Sequence, residues 1–197
     1  MAPADVIDAL AGIEHDVRLK ALRDQRAEAR LNAQRSYEAL FEPADPGSVS
    51  LRERHAVAVF VAGLHRDAPA LAHYRELGPD TSLAGVLDEE IARGAASGPY
   101  GCYPDGPLSV ENIAGPTYRV SASGRDALGA RLSAALEHTH LLVFHPRDVS
   151  PAALEDLQNA GWSTTDVVTL SQLVAFLTFQ IRVAAGLRTL TASQAQG

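Results

Sequence analysis

For chemistry, this 197-residue chain offers seven histidines, a single cysteine and scattered carboxylates. The cysteine, Cys102, has no second thiol to pair with, so an intramolecular disulfide is ruled out and a thiol-based zinc site is not expected. Six of the histidines fall into two groups: His55, His65 and His73, then His138, His140 and His145. Imidazole is the side chain whose charge changes most readily near neutral pH. On a helix, His138 and His140 point about 200° apart and cannot share one metal ion, whereas Glu137 and His140, three apart, share a face. The chain has no His-Glu-x-x-His pair, Gly-rich phosphate loop, Gly-x-Ser-x-Gly elbow or basic-aromatic stripe. A set of core histidines held by hydrogen bonds is the alternative to a site, and the elements that carry them must decide.

The longest apolar-periodic stretch runs over residues 163–190. Val167, Leu170, Leu173, Val174, Leu177 and Ile181 recur at spacings of three and four, with Phe176 and Phe179 widening the face. Ser163 or Thr164 suits its N-cap, and Asp166 sits in the first turn. Gln172, Gln180 and Arg182 make it a poor membrane span and a good bundle core or subunit interface. Residues 50–65 open with a Ser50-x-x-Glu53 capping box and carry Ala56, Val57, Val59, Phe60 and Leu64. Shorter helices are expected over 4–12, 69–77, 82–96 and 151–160, and longer ones over 16–40 and 125–145. The arginines of 16–40 read as a solvated helix face. No period-2 strand pattern stands out, so the fold class is all-α, a bundle of about seven helices.

Two composition shifts mark the organisation. Residues 42–48, rich in Pro and Gly, separate an N-terminal helical arm (1–45) from the main body (46–197). Residues 97–124 form a Gly/Pro/Ser-rich irregular insertion holding Cys102, with Tyr100, Tyr103 and Tyr118 as anchor points. With 46% hydrophobic residues the chain is globular. A net charge of −7 argues against nucleic acid. Without a basic segment leading into an apolar run at the start, a cytoplasmic protein with no membrane partner is expected.

The order of the last two thirds resembles the carboxymuconolactone decarboxylase superfamily, in its alkylhydroperoxidase-D-like, peroxidase-related branch. The resemblance runs from about Ser50 to Leu190. It rests on the Arg-Glu-Arg at 52–54, which matches the start of that branch's redox helix, and on the tail HPRDVSPAALEDLQNAGWSTTDVVTLSQLVAFLTFQIRVAAGL. The implied fold is the alkylhydroperoxidase-D-like helical bundle, which assembles as homo-oligomers. The family's thiol chemistry does not carry over. An ungapped placement puts His55 at the family's glutamate, Asp67 and Ala70 at its two cysteines, and Tyr74 at its histidine, with His73 just before. A Cys-x-x-Cys peroxidase needs one thiolate to attack and a second thiol to resolve the sulfenic acid.

The resemblance therefore implies a peroxidase-related protein without thiol peroxidase activity. One reading is a non-catalytic or partner subunit in antioxidant defence, working with a separate peroxidase-family protein. The other is an acid–base or metal-dependent enzyme acting on a small organic molecule in the family pocket. The pocket is expected between helices 50–65 and 69–77, facing 125–144, with His55, Asp67, His73, Tyr74 and His140 as its candidate residues. No cofactor or bound metal is expected.

Overall fold

The computed structural model describes residues 4–194 apart from Pro79, with Gln194 described by its backbone alone. Among them are nine α-helices: α1 (Val6–Ala11), α2 (Val17–Asp24), α3 (Ala27–Phe41), α4 (Leu51–Leu64), α5 (Ala68–Leu77), α6 (Ala84–Arg93), α7 (Ala122–Phe144), α8 (Pro151–Asn159) and α9 (Thr164–Gln194). The described residues form no strand, only an isolated bridge between Gly101 and Ile113. The protein is all-α.

Helix α4 is the central element. Every residue from Arg54 to Leu64 is buried, and α3, α5, α6, α7 and α9 all pack on it. A helix apolar all round can sit only in such a place. Its start is a capping box: the Ser50 hydroxyl accepts the Glu53 N–H at 3.3 Å and Glu53 accepts the Ser50 N–H at 2.8 Å. The long helix α9 buries Leu170, Leu173, Val174, Leu177 and Ile181 against α4, α7 and α1. Fully burying each such side chain is worth about 1.5–3 kcal/mol. By length and composition α9 could cross a membrane, and one of its faces is spent on this core. Ser163 and Asp166 cap it reciprocally, at 3.2 and 3.0 Å.

The N-terminal arm expected over 1–45 lies in the same core as the main body. Val6, Ile7, Leu10 and Ile13 are buried, and α1 packs on α9, α5 and α3. The expected single helix 16–40 is broken at Arg26, whose backbone is not helical (φ −125°, ψ 54°). The break lets Arg23 and Arg30 both reach the first turn of α1. Arg23 meets Asp5 at 2.8 Å and also pairs with Asp8, and Arg30 meets Asp5 and Asp8 at 2.7 Å each. These two arginines form an ion network rather than a solvated face.

The linker 42–48 is strapped down by Arg54. Its buried guanidinium donates to the carbonyls of Val49 at 2.9 Å, Leu40 at 2.8 Å, Pro46 at 2.8 Å and Ala39 at 3.4 Å. Arg131 makes a second knot. It donates to Glu53 at 2.6 Å, Ser48 O at 3.1 Å, Asp166 at 3.3 Å and the Gly161 carbonyl, and lies 4.1 Å over the Trp162 ring.

One boundary differs from expectation on the other side of the core. Helix α7 starts at Ala122, capped by Ser121, and bends at Gly129, whose φ of 77° and ψ of 166° only glycine takes without strain. The insertion 97–124 is irregular but anchored to its own chain. Tyr118 donates to buried Glu90 at 2.7 Å, Tyr100 N–H reaches Phe144 O at 2.6 Å, and Arg147 lies 4.1 Å over the Tyr103 ring.

Arg54→Ala should lose about 3 kcal/mol of stability in urea unfolding, because several linker and helix-end carbonyls lose their donor at once. Arg54→Lys should recover only part of it, since an ammonium cannot fork among them.

Candidate functional site

A cavity of about 640 Å³ lies between the start of α4, the end of α5 and the segment 80–87, and Phe41 of α3 also lines it. Leu51, Ala56, Val59, Leu77, Leu83 and Leu87 give it apolar walls. His55 lines it from the second turn of α4. Its ring stacks on Phe41 with centroids 5.8 Å apart and planes 10° off parallel. Both ring nitrogens are buried without a hydrogen-bond partner, and what little of His55 is exposed lies on other atoms. A half-turn of the ring about χ2 exchanges each nitrogen with a carbon, a low-energy change for a terminal sp³–sp² torsion. Burial lowers the pKa of His55, so at neutral pH the ring is an uncharged donor and acceptor.

An aromatic cluster extends from this histidine. Phe41 meets Tyr74 at 5.1 Å and Tyr37 at 5.3 Å, and His73 meets Tyr74 edge-on at 4.9 Å. The Tyr37 hydroxyl lies 3.0 Å from His73 Nε2. Burial pushes the Tyr37 phenol up to about 12 and lowers His73, so both stay neutral. Tyr74 also has its pKa raised, chiefly by burial, and its hydroxyl donates to Oε1 of fully buried Gln180. That proton is committed to Gln180, which leaves His55 as the cavity's unengaged acid–base group.

Of the five residues singled out from the sequence, the structure brings three together, His55, His73 and Tyr74. Asp67 stands apart. It caps α5, accepting Ala70 N–H at 3.0 Å, and is ion-paired with Arg188. Seven residues separate it from Tyr74 on that helix, about 10 Å along the axis. His140 also lies elsewhere. Its Nε2 is 3.1 Å from Gly94 O and its ring stacks on Tyr118 at 4.9 Å. Gly94 abuts Leu64, the far end of α4 from His55. The cavity therefore faces α3 and α6 where α7 was expected.

His140 instead lines a second cavity of about 220 Å³ with Tyr118, Glu137, His138, His145 and Leu157. Glu137 is engaged there by Arg119 at 2.6 Å and Arg125 at 2.5 Å, and His138 is buried with both nitrogens unpartnered. Among the described residues no three His, Cys, Asp or Glu side chains are placed to hold a metal ion. Cys102 is exposed on the insertion, its N–H bonded to Asp148 at 3.0 Å.

Sequence reasoning missed Phe41, which lines the cavity and stacks on His55, and Tyr37, which packs on Phe41 and meets His73. They are four apart, one helical face, but the Pro/Gly linker made α3 read as part of a separate arm. Compared with family models, curated proteins and solved structures, the chain matches none.

Burial is the main cause of lowered pKa values at His55, His65, His73, His138 and His140, the last down to about 4. These bases take up protons more readily when unfolded, so their contribution is complete above about pH 6.5 and is lost as pH falls toward 4. Urea unfolding should show stability dropping over that window. His140→Gln should flatten the drop by about 3 kcal/mol across its full width.

Proposed function

We propose that this chain is a carboxymuconolactone decarboxylase-type, peroxidase-related protein that has given up thiol chemistry. On this reading it uses the pocket at the start of α4 to bind a small, largely apolar organic molecule, with His55 as the acid–base group. The observation that carries the reading is the apolar cavity of about 640 Å³ lined by a histidine whose ring nitrogens have no partner. Buried polar groups in native structures nearly always have a partner, from the protein, water or a ligand, so these nitrogens are open to one. A neutral imidazole in an apolar pocket can take a proton from a bound O–H or acidic C–H.

Thiol turnover finds no support in the arrangement. Asp67 is held in an ion pair, Ala70 is buried, and Cys102 sits exposed on the insertion. Purified protein should not reduce alkyl hydroperoxides with a dithiol, and Cys102→Ser should change nothing. Robust dithiol-dependent turnover would overturn the reading. The environment-sensitive dye N-phenyl-1-naphthylamine should bind and brighten, and Val59→Trp, which fills the cavity, should weaken it at least tenfold while the helical circular dichroism persists.

The homo-oligomer that the resemblance implies has its own support in α9. Val168 and Phe179 are about half exposed, and Ala175, Thr178, Phe179, Arg182 and Val183 line an open groove on the outer face. This surface suits a second copy of the chain packing α9 on α9, as the family resemblance implies. Sedimentation at micromolar concentration should show an oligomer that Phe179→Glu dissociates.

A further inference from the structure

We infer that the His55 cavity takes an amphipathic monocarboxylic acid, with its carboxylate on Arg52 and Arg75 at the rim and its hydrocarbon body inside. This deepens the ligand-site reading of that cavity and rests on it.

The argument comes from the unused hydrogen-bonding capacity. The rim carries Arg52, Arg75, Asp80 and Thr81. The Asp80 carboxylate is occupied: one oxygen accepts the Ser82 N–H at 2.9 Å and the Ser82 hydroxyl, the other accepts Arg52 Nε at 2.5 Å. Among the described residues, Arg52 uses only Nε, which leaves both terminal nitrogens of its half-exposed guanidinium free. Arg75 likewise uses only Nη2, on Asp88, and leaves Nε and Nη1 free. Among the described residues, apart from the Thr81 hydroxyl and one remaining lone-pair site on Asp80, the open valences at the rim are cationic N–H donors. A carboxylate is the group that accepts such donors in pairs.

The interior offers the opposite environment. Phe41, Leu51, Val59, Leu77, Leu83 and Leu87 present hydrocarbon, and His55 is uncharged. No cation lies inside to receive a second carboxylate, so a dicarboxylate would leave one charge unpaired in an apolar wall, at heavy cost. An ammonium head would find the nearby carboxylates already engaged, Asp80 by Arg52 and Ser82 and Asp88 by Arg75. A volume of about 640 Å³ falls in the range of pockets that enclose whole small ligands. His55 lies three residues beyond Arg52 on α4, on the same face and about 4.5 Å further along the helix, where the body of such a ligand passes.

The test is calorimetric titration of the full chain with hexanoate, octanoate and decanoate, and with decan-1-ol and decylamine as uncharged and cationic heads. Decanoate should bind at least tenfold tighter than either. Affinity should rise with length by up to about fourfold per methylene, the burial expected of hydrocarbon. Arg52→Gln and Arg75→Gln, tested singly with circular dichroism as a fold control, should each reduce the preference for decanoate over decan-1-ol, and Val59→Trp should abolish binding of the whole series. If decan-1-ol or decylamine binds as tightly as decanoate, or if neither arginine variant shifts the preference, the carboxylate assignment is overturned while the cavity reading stands. If nothing in the series binds and Val59→Trp leaves the naphthylamine dye unaffected, the cavity reading itself falls.

Discussion

The buried guanidinium of Arg54 decides how the N-terminal third meets the rest. Among the described residues it is ion-paired with no carboxylate. Its donors go to the carbonyls of Ala39 and Leu40 at the end of α3, of Pro46 in the linker and of Val49 just before α4. A helix C-terminus presents unsatisfied carbonyls and a partial negative charge, so a cation there meets both needs. Desolvation lowers the pKa of Arg54, yet an arginine stays charged in any protein interior. The charge is tolerable because the carbonyl dipoles around it replace water. With the end of α3 fastened to the second turn of α4, Phe41 is stacked on His55, one residue along from Arg54.

The three residues Arg52, Glu53 and Arg54 thus divide the work of one helical turn. Arg52 points to the cavity rim and holds Asp80. Glu53 closes the cap on Ser50 and receives Arg131, which in turn reaches the loops before α4 and α9. Arg54 points inward to the linker. Successive side chains on a helix turn by about 100°, so three neighbours address three surroundings. The site wall, the helix start and the arm are positioned together, and a disturbance to any of them is felt at His55.

Much of this was legible in the residues. Capping residues at Ser50, Ser150 and Ser163, the Pro-Gly linker and the three-four spacing of α9 are local signals, and local signals are what a sequence displays. The break at Arg26 was not legible, because it serves Asp5 and Asp8, about twenty residues away. For the site, His55, His73 and Tyr74 were grouped through the family resemblance and not by a local signal. Asp67 was misplaced because its role as the cap of α5 and partner of Arg188 depends on the far end of α9. His140 was misplaced because the side of α4 that each neighbouring helix covers is a tertiary fact. Phe41 was overlooked because nothing local says that a chain leaving α3 doubles back.

The packing of α1 against α9 has a consequence for how the protein comes into being. Arg188 donates to the Leu10 carbonyl, a contact spanning 178 residues, and α1 finds most of its neighbours on α9. During synthesis α1 emerges early and α9 late, so Val6, Ile7 and Leu10 wait without their docking surface while the chain between is made. The partners made sooner are Arg23 and Arg30, which follow within about two dozen residues and pair with Asp5 and Asp8. The apolar side chains of α1 are fully covered only when α9 is in place.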